Sequence, residues 1–224
     1  MTQSQIQLQD IKNRIAEASL ASGREKDSVK LVAVSKTFDI DDIKPVLDSG
    51  QRIFGENRVQ EAQNKWPQLR QEYPGVELHL IGPLQTNKVR EAVALFDVIQ
   101  TLDRPKLLQA LGNEIRKQNK PIKVLIQVNV GREPQKAGVL PEDFASFLTE
   151  SITQLGSALI GLMCIPPVDQ DPNPYFQSLK DLADAHKLPI ISMGMSSDFE
   201  AAIKMGASHV RVGSAIFGTR PKLV

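Results

Sequence analysis

The chain has 224 residues, 41% of them hydrophobic and 24% charged, which are ordinary proportions for a globular protein with one large core. Lysine and arginine number 27 against 26 acidic residues, so the net charge of +1 gives no electrostatic reason to expect nucleic acid or an anionic membrane as main partner. The single Cys164 excludes an internal disulfide, three scattered histidines offer no zinc spacing, and neither a leader pattern nor an apolar run of spanning length is visible, so a cytoplasmic protein without a metal site is expected.

Leu8, Ile11, Ile15 and Ala18 recur at steps of three and four, which predicts a first helix ending near Gly23. Lys30 to Thr37 is a β-branched apolar run that ends in Lys36 and turns into a helix start near Asp39. Such a run reads as a strand buried on both faces. Ile40, Ile43 and Leu47 mark the helix, Arg52 to Phe54 a short strand, and Val59, Ala62, Trp66 and Leu69 the next helix. Val76 to Ile81 is a strand closed by Gly82-Pro83, followed by a helix through Val89, Val93 and Phe96. Asp97 to Thr101 is a strand, Leu107, Leu111 and Ile115 a helix face, and Pro121 to Val130 a long β-rich run. Phe144, Leu148, Ile152 and Leu155 supply a helix before the strand Ala158 to Ile165. After a proline-rich loop come a helix through Phe176, Leu179 and Ala183, a strand at Ile190 to Met193, a helix ended by Gly206, and the strand His209 to Val212.

About eight strand-then-helix units without a linker predict one domain over residues 1–224, an α/β protein built as a closed (β/α)8 TIM-type barrel with an extra N-terminal helix. The alternative is an open doubly wound sheet, but no G-x-G-x-x-G follows the first strand. The polar tail after Phe217 is too short for a full last helix, so the first helix is expected to cover that side.

In such a barrel the C-terminal ends of the strands share one mouth, where sites are built. Lys36 falls there, as do Asn57, His79, Asn129, Met163, Ser196, Ser197, Arg211, Gly213 and Ser214. Each alone has a bland reading: Lys36 can snorkel to water, Asn57 and the serines can cap helices, and His79 and Met163 can be packed core residues. Their shared location is the signal. The turns Met193 to Asp198 and Arg211 to Gly218 combine glycines, hydroxyls and helix-start N–H groups into a phosphate cup, at the place after strands seven and eight where barrels commonly hold phosphate. A lysine on the neighbouring first strand suits a phosphorylated carbonyl compound, because a desolvated amine is a nucleophile toward a carbonyl. A pyridoxal phosphate (PLP) site and a Schiff-base aldolase acting on a sugar phosphate both satisfy this.

From Leu31 almost to its end the chain resembles the single-domain PLP-homeostasis proteins, once called proline synthetase co-transcribed proteins, which are similar to the barrel domain of bacterial alanine racemase. The resemblance rests on Val32 to Lys36, Phe54-Gly55-Glu56-Asn57-Arg58-Val59-Gln60-Glu61, His79 to Lys88, Gly161-Leu162-Met163 and the two turns. Leu78 departs from it, since the family usually has an aromatic residue before the histidine. The resemblance implies PLP fold type III, a Schiff base on Lys36, phosphate held by Ser196, Ser197, Gly213 and Ser214, Arg211 facing the pyridine nitrogen, and Asn57, His79 and Met163 lining the ring.

Racemisation needs a second acid–base group on the face of the ring opposite the lysine. Alanine racemase takes it from a second domain, whereas this sequence ends at Val224 and its only tyrosines, Tyr73 and Tyr175, lie in helix-flanking stretches. An arginine cannot accept a hydrogen bond, so opposite the ring nitrogen it keeps that nitrogen unprotonated and the ring a poorer electron sink. The expectation is a monomeric PLP-binding homeostasis protein in amino-acid and vitamin B6 balance, without robust catalysis, handing PLP to apoenzymes or meeting a regulatory protein. A slow PLP-dependent racemase, the aldolase and a ligand-free interaction protein are the alternatives.

Overall fold

Leu31 to Val34 are all buried, as a strand with side chains packed on both faces requires. In the computed structural model, which describes residues 1–219, this strand is β1 (Lys30–Val34) and follows the long helix α1 (Gln3–Ala21). A strict alternation continues with α2 (Ile40–Asp48), β2 (Ile53–Glu56), α3 (Val59–Glu72), β3 (Glu77–Leu80), α4 (Val89–Leu95), β4 (Val98–Leu102) and α5 (Pro105–Gln118). It ends with β5 (Lys123–Val128), α6 (Phe144–Leu155), β6 (Leu159–Cys164), α7 (Asn173–Ala185), β7 (Ile190–Ser192), α8 (Phe199–Lys204), β8 (His209–Val212) and the short α9 (Ser214–Phe217). The strands pair in parallel in chain order, and β8 returns to β1 with His209 opposite Lys30 and Val212 opposite Ala33. The barrel is therefore closed, and the open sheet is excluded.

Two apolar regions hold it together. The larger lies between strands and helices, where Phe54, Trp66, Phe96, Phe176 and Phe199 are wholly buried, each a burial of about 1.5–3 kcal/mol or more. The smaller fills part of the barrel interior with Val98, Leu125 and Met163, backed by Ile160, Ile165 and Ile190. Barrel interiors are ordinarily layered with branched aliphatic residues. Here the buried His79, Gln100, Ser192 and Arg211 belong to the strands as well.

The first helix covers the last part of the barrel, as expected. It packs on α8 and α9; Arg14 pairs with Glu200 and lies 4.8 Å over the ring of Phe199, and Arg24 Nη1 donates to the carbonyls of Ile203 and Ala207 at 3.2 and 2.8 Å. Among the described residues after β8, Ser214–Phe217 is helical, and the last part of the polar tail lies outside the described residues.

Candidate functional site

β1 ends at Val34, two residues before Lys36, and a tight turn then carries the lysine across the barrel mouth. Thr37 takes φ +68°, a left-handed conformation costly for a β-branched residue, and its buried hydroxyl has no partner. What enforces the turn comes from β2 and α3. Lys65, nearly buried, donates to the carbonyls of Ser35 and Phe38 at 3.1 and 3.2 Å and pairs with Glu56 at 2.8 Å and Glu61 at 2.9 Å. Glu61 accepts the Thr37 N–H at 2.5 Å. Glu56 Oε1 also accepts from Ser35 Oγ at 2.7 Å and Trp66 Nε1 at 3.0 Å. Burial raises the Glu56 carboxyl above its ordinary value, while Lys65 and these donors pull it back. From the other side Phe38 stacks on Phe217 of α9, ring centroids 5.0 Å apart. The lysine, half-buried, is held by a turn clamped on two sides.

Lys36 lines a cavity of about 330 Å³ at the mouth, large enough for a small ligand. The turns after β7 and β8 form one wall through Ser196, Ser197, Gly213 and Ser214. Gly194 makes the first of these turns at φ +89°, where an added Cβ would fall 2.6 Å from that of Ala202. Asp198 Oδ1 closes that turn by accepting the Met195 N–H at 2.6 Å, and the Gly213 N–H reaches Ser196 Oγ at 3.3 Å, which ties the two turns together. Among the described residues, the backbone N–H groups of Ser196, Ser197 and Ser214 meet no protein acceptor. Hydroxyls and unpaired amide donors thus share the cavity with an amine.

Arg211 closes the cavity from below. Its guanidinium donates to Ser192 Oγ and to the Cys164 carbonyl, both at 2.8 Å, and among the described residues no carboxylate lies within ion-pair distance of it. Burial lowers the guanidinium below its ordinary value without neutralising it, and pushes the Cys164 thiol up to about 12, so that thiol is inert.

Of the residues singled out in the sequence, Lys36, Asn57, Ser196, Ser197, Arg211, Gly213 and Ser214 line this one cavity. Asn57 caps no helix, since the residue before α3 is Arg58; Gly82 lets the chain pass so close that a Cβ there would fall 2.3 Å from the Asn57 carbonyl oxygen. His79 and Met163 do not line the cavity. His79 bonds to Glu77 and Gln100 and lines a separate cavity at the opposite end of the barrel, and Met163 is wholly buried in the interior apolar group. The residues two positions later, Ile81 and Ile165, line the mouth instead. Alternate strand residues share a face, so these isoleucines stand one layer above the histidine and the methionine. Asn129 spends its side chain on the following loop, donating to the carbonyls of Glu133 and Lys136 at 2.8 and 3.3 Å.

The model of the family described as alanine racemase, N-terminal domain, matches residues 6–221. A pyridoxal phosphate homeostasis protein of Haemophilus influenzae is 41% identical over 222 residues, 94% of this chain and 93% of that one. The structure of PipY from Synechococcus elongatus with PLP bound is similar at TM-score 0.78 and 35% identity, over 91% of this chain and 100% of its own. An alanine racemase of Clostridium difficile is similar at TM-score 0.75 and 14% identity over 98% of this chain but 57% of its own, a likeness of fold alone.

Proposed function

The chain belongs to the pyridoxal phosphate homeostasis proteins within the alanine racemase N-terminal domain family, and from that premise we propose that it holds PLP as a Schiff base on Lys36 and serves PLP homeostasis without robust catalysis. The observation that carries this reading is the lining of the mouth cavity: an amine, a cup of hydroxyls and unpaired N–H groups, a guanidinium and apolar walls. The donor set fits the group. Bound PLP supplies an aldehyde that condenses with an amine, and a phosphate that needs donors.

Lys36 Nζ is the attachment point. Ser196, Ser197 and Ser214 hold phosphate through hydroxyls and backbone N–H groups, and Gly213 keeps that wall free of a side chain. Val34, Ile81 and Ile165 exclude water from the ring, with Asn57 at its edge. Arg211 faces the ring nitrogen as a donor only, which leaves that nitrogen unprotonated and limits how far it can draw electrons. His79 and Met163 support the site from beneath.

The weak-catalysis reading rests on the same lining. Among the described residues Lys36 and Arg211 are its only ionisable side chains, so no second acid–base group stands across the cavity from the lysine. The tyrosines are committed elsewhere, Tyr73 to Asp48 at 2.7 Å and Tyr175 to Gln170. Among the described residues no helix is long and apolar enough to cross a membrane and no cluster of His, Cys, Asp or Glu suits a metal. The proposal extends to a cytoplasmic monomer of one PLP-binding domain that passes PLP to apoenzymes or meets a regulatory protein.

The test is proton exchange. PLP-loaded protein incubated with L-alanine in deuterated water should exchange the Cα proton, read by NMR, no faster than free PLP at equal concentration. Exchange well above that rate, with formation of the D-enantiomer, would make the chain a racemase.

A further inference from the structure

The polar side chains inside the barrel form one unbroken series. Arg211 Nη1 donates to Ser192 Oγ at 2.8 Å, and the Ser192 hydroxyl donates to Gln100 Oε1 at 2.7 Å. Gln100 Nε2 lies 2.7 Å from His79 Nδ1, and His79 Nε2 lies 2.8 Å from Glu77 Oε1. Lys123 Nζ reaches the other Glu77 oxygen at 3.1 Å. Arg211 faces the mouth cavity, whereas Glu77 and Lys123 are the first residues of β3 and β5 and line the cavity at the far end. The series therefore runs the height of the barrel, and Ser192, Gln100 and His79 are buried throughout it.

Its direction is fixed from both ends. A guanidinium only donates, so Ser192 must accept from Arg211 and has a single proton left, which Gln100 Oε1 takes. The Gln100 amide is thereby oriented with Nε2 toward His79, whose Nδ1 must accept. His79 then carries its proton on Nε2 and gives it to Glu77, a carboxylate that only accepts. Turning over the Gln100 amide would aim a second donor at Ser192 Oγ and leave a hydroxyl proton and a ring nitrogen unmatched. A barrel filled for packing alone would have branched aliphatic residues here. Among the described residues the Arg211 guanidinium has two hydrogen-bond partners, Ser192 Oγ and the Cys164 carbonyl, so the serine decides how the guanidinium is turned.

We propose that Ser192 and Gln100 are positioning residues for Arg211, oriented from the far end of the barrel by His79 and Glu77, so that the guanidinium is aimed at the ring nitrogen before any cofactor arrives. The inference rests on the PLP reading of the mouth cavity. It also gives His79 a role, acting through Gln100 and Ser192 rather than by contact.

Ser192→Ala and Gln100→Met break the series, whereas Ser192→Thr keeps the hydroxyl and Gln100→Glu keeps the acceptor that Ser192 needs. Gln51→Met is the control, because Gln51 is a buried amide outside the series, bonded to the carbonyls of Leu31 and Ile53 at 2.8 Å each. Each protein is loaded with PLP labelled at the ring nitrogen, and the nitrogen resonance, PLP affinity and melting curve are recorded. The resonance should move in Ser192→Ala and Gln100→Met, with affinity weakened roughly three- to tenfold, and return toward the parent position in Ser192→Thr and Gln100→Glu. Gln51→Met should lower the melting temperature and leave the resonance in place. Should Gln100→Met not fold, the serine pair decides the same question.

An unmoved resonance in Ser192→Ala, with PLP bound, overturns the positioning role while the cofactor reading stands. A resonance moved equally by Gln51→Met overturns it too, as a general effect of core damage. A parent that binds no PLP overturns both.

Discussion

Lys65 donates to the carbonyl oxygen of Ser35 at 3.1 Å, so a buried ammonium lies directly beneath the residue that precedes Lys36. Its countercharges are Glu56, which is wholly buried, and Glu61. Removing one member of such a group leaves the others desolvated and unpaired. Lys65→Met should therefore destabilise the protein by about 3–5 kcal/mol in urea unfolding, and PLP binding should weaken as the Ser35–Phe38 turn loosens. A loss below about 1 kcal/mol would show that the pairing is incidental.

The same turn carries strain at Thr37, with φ at +68° and a buried, unpartnered hydroxyl. Glycine adopts that conformation freely. Thr37→Gly should gain about 1 kcal/mol of stability after the extra freedom of the unfolded chain is counted. Slower recovery of the PLP absorbance after dilution from denaturant would accompany it, because the turn that aims Lys36 is less stiff. A net loss of stability would mean that the turn is not strained.

The phosphate cup is tested by removing two hydroxyls together. Ser196→Ala with Ser214→Ala should weaken PLP binding by about 1–3 kcal/mol, the scale of hydrogen bonds to a charged group. Pyridoxal, which lacks the phosphate, should bind the parent and the variant alike. Titrations in which both ligands lose affinity equally would reduce the serines to structural caps.

Stability should fall in two stages as the solution is acidified. Burial, with His79 nearby, pushes the His209 imidazole from its ordinary 6.5 down to about 4. Between those values the unfolded chain takes a proton that the folded chain refuses, so stability declines as pH falls from 6.5 to 4. The loss should be about 2 kcal/mol, less than the full shift implies because the ring keeps some contact with water. The hydrogen bond from His79, then Lys123, holds the Glu77 carboxyl at about 2 against an ordinary 4.5. Its contribution is complete above 4.5 and is lost as pH falls toward 2. In urea unfolding against pH, His209→Gln should flatten the upper stage and leave the lower one. An unchanged upper stage would assign it to another group.

The barrel was legible because β-branched runs alternate with stripes at three- and four-residue steps, and a shared mouth follows from parallel closure. Lys36, Asn57, Arg211 and the serine–glycine turns could be gathered on that ground alone. Depth along a strand was not legible. His79 and Ile81 lie on the same face two residues apart, and only the pairing of His79 opposite Gly55 and Val98 sets which of them reaches the mouth. Met163 and Ile165 repeat the case. The four-residue spacing of Glu61 and Lys65 on α3 is common to surface pairs and does not show that the structure buries the lysine beneath the catch that holds Lys36. The interior series was hidden for a related reason: its members come from five strands, and nothing in their spacing shows that Gln100 reaches both His79 and Ser192.

The central claim is that Lys36 holds PLP covalently. Purified protein incubated with PLP should absorb in the visible range, lose that band on treatment with borohydride, and yield on peptide mapping one pyridoxyl-modified lysine at Lys36. Lys36→Ala should give no such band while keeping the far-ultraviolet circular dichroism of the parent, because the phosphate cup and Arg211 stand on other strands. A modified lysine elsewhere, or an undiminished band in a folded Lys36→Ala protein, would contradict the account.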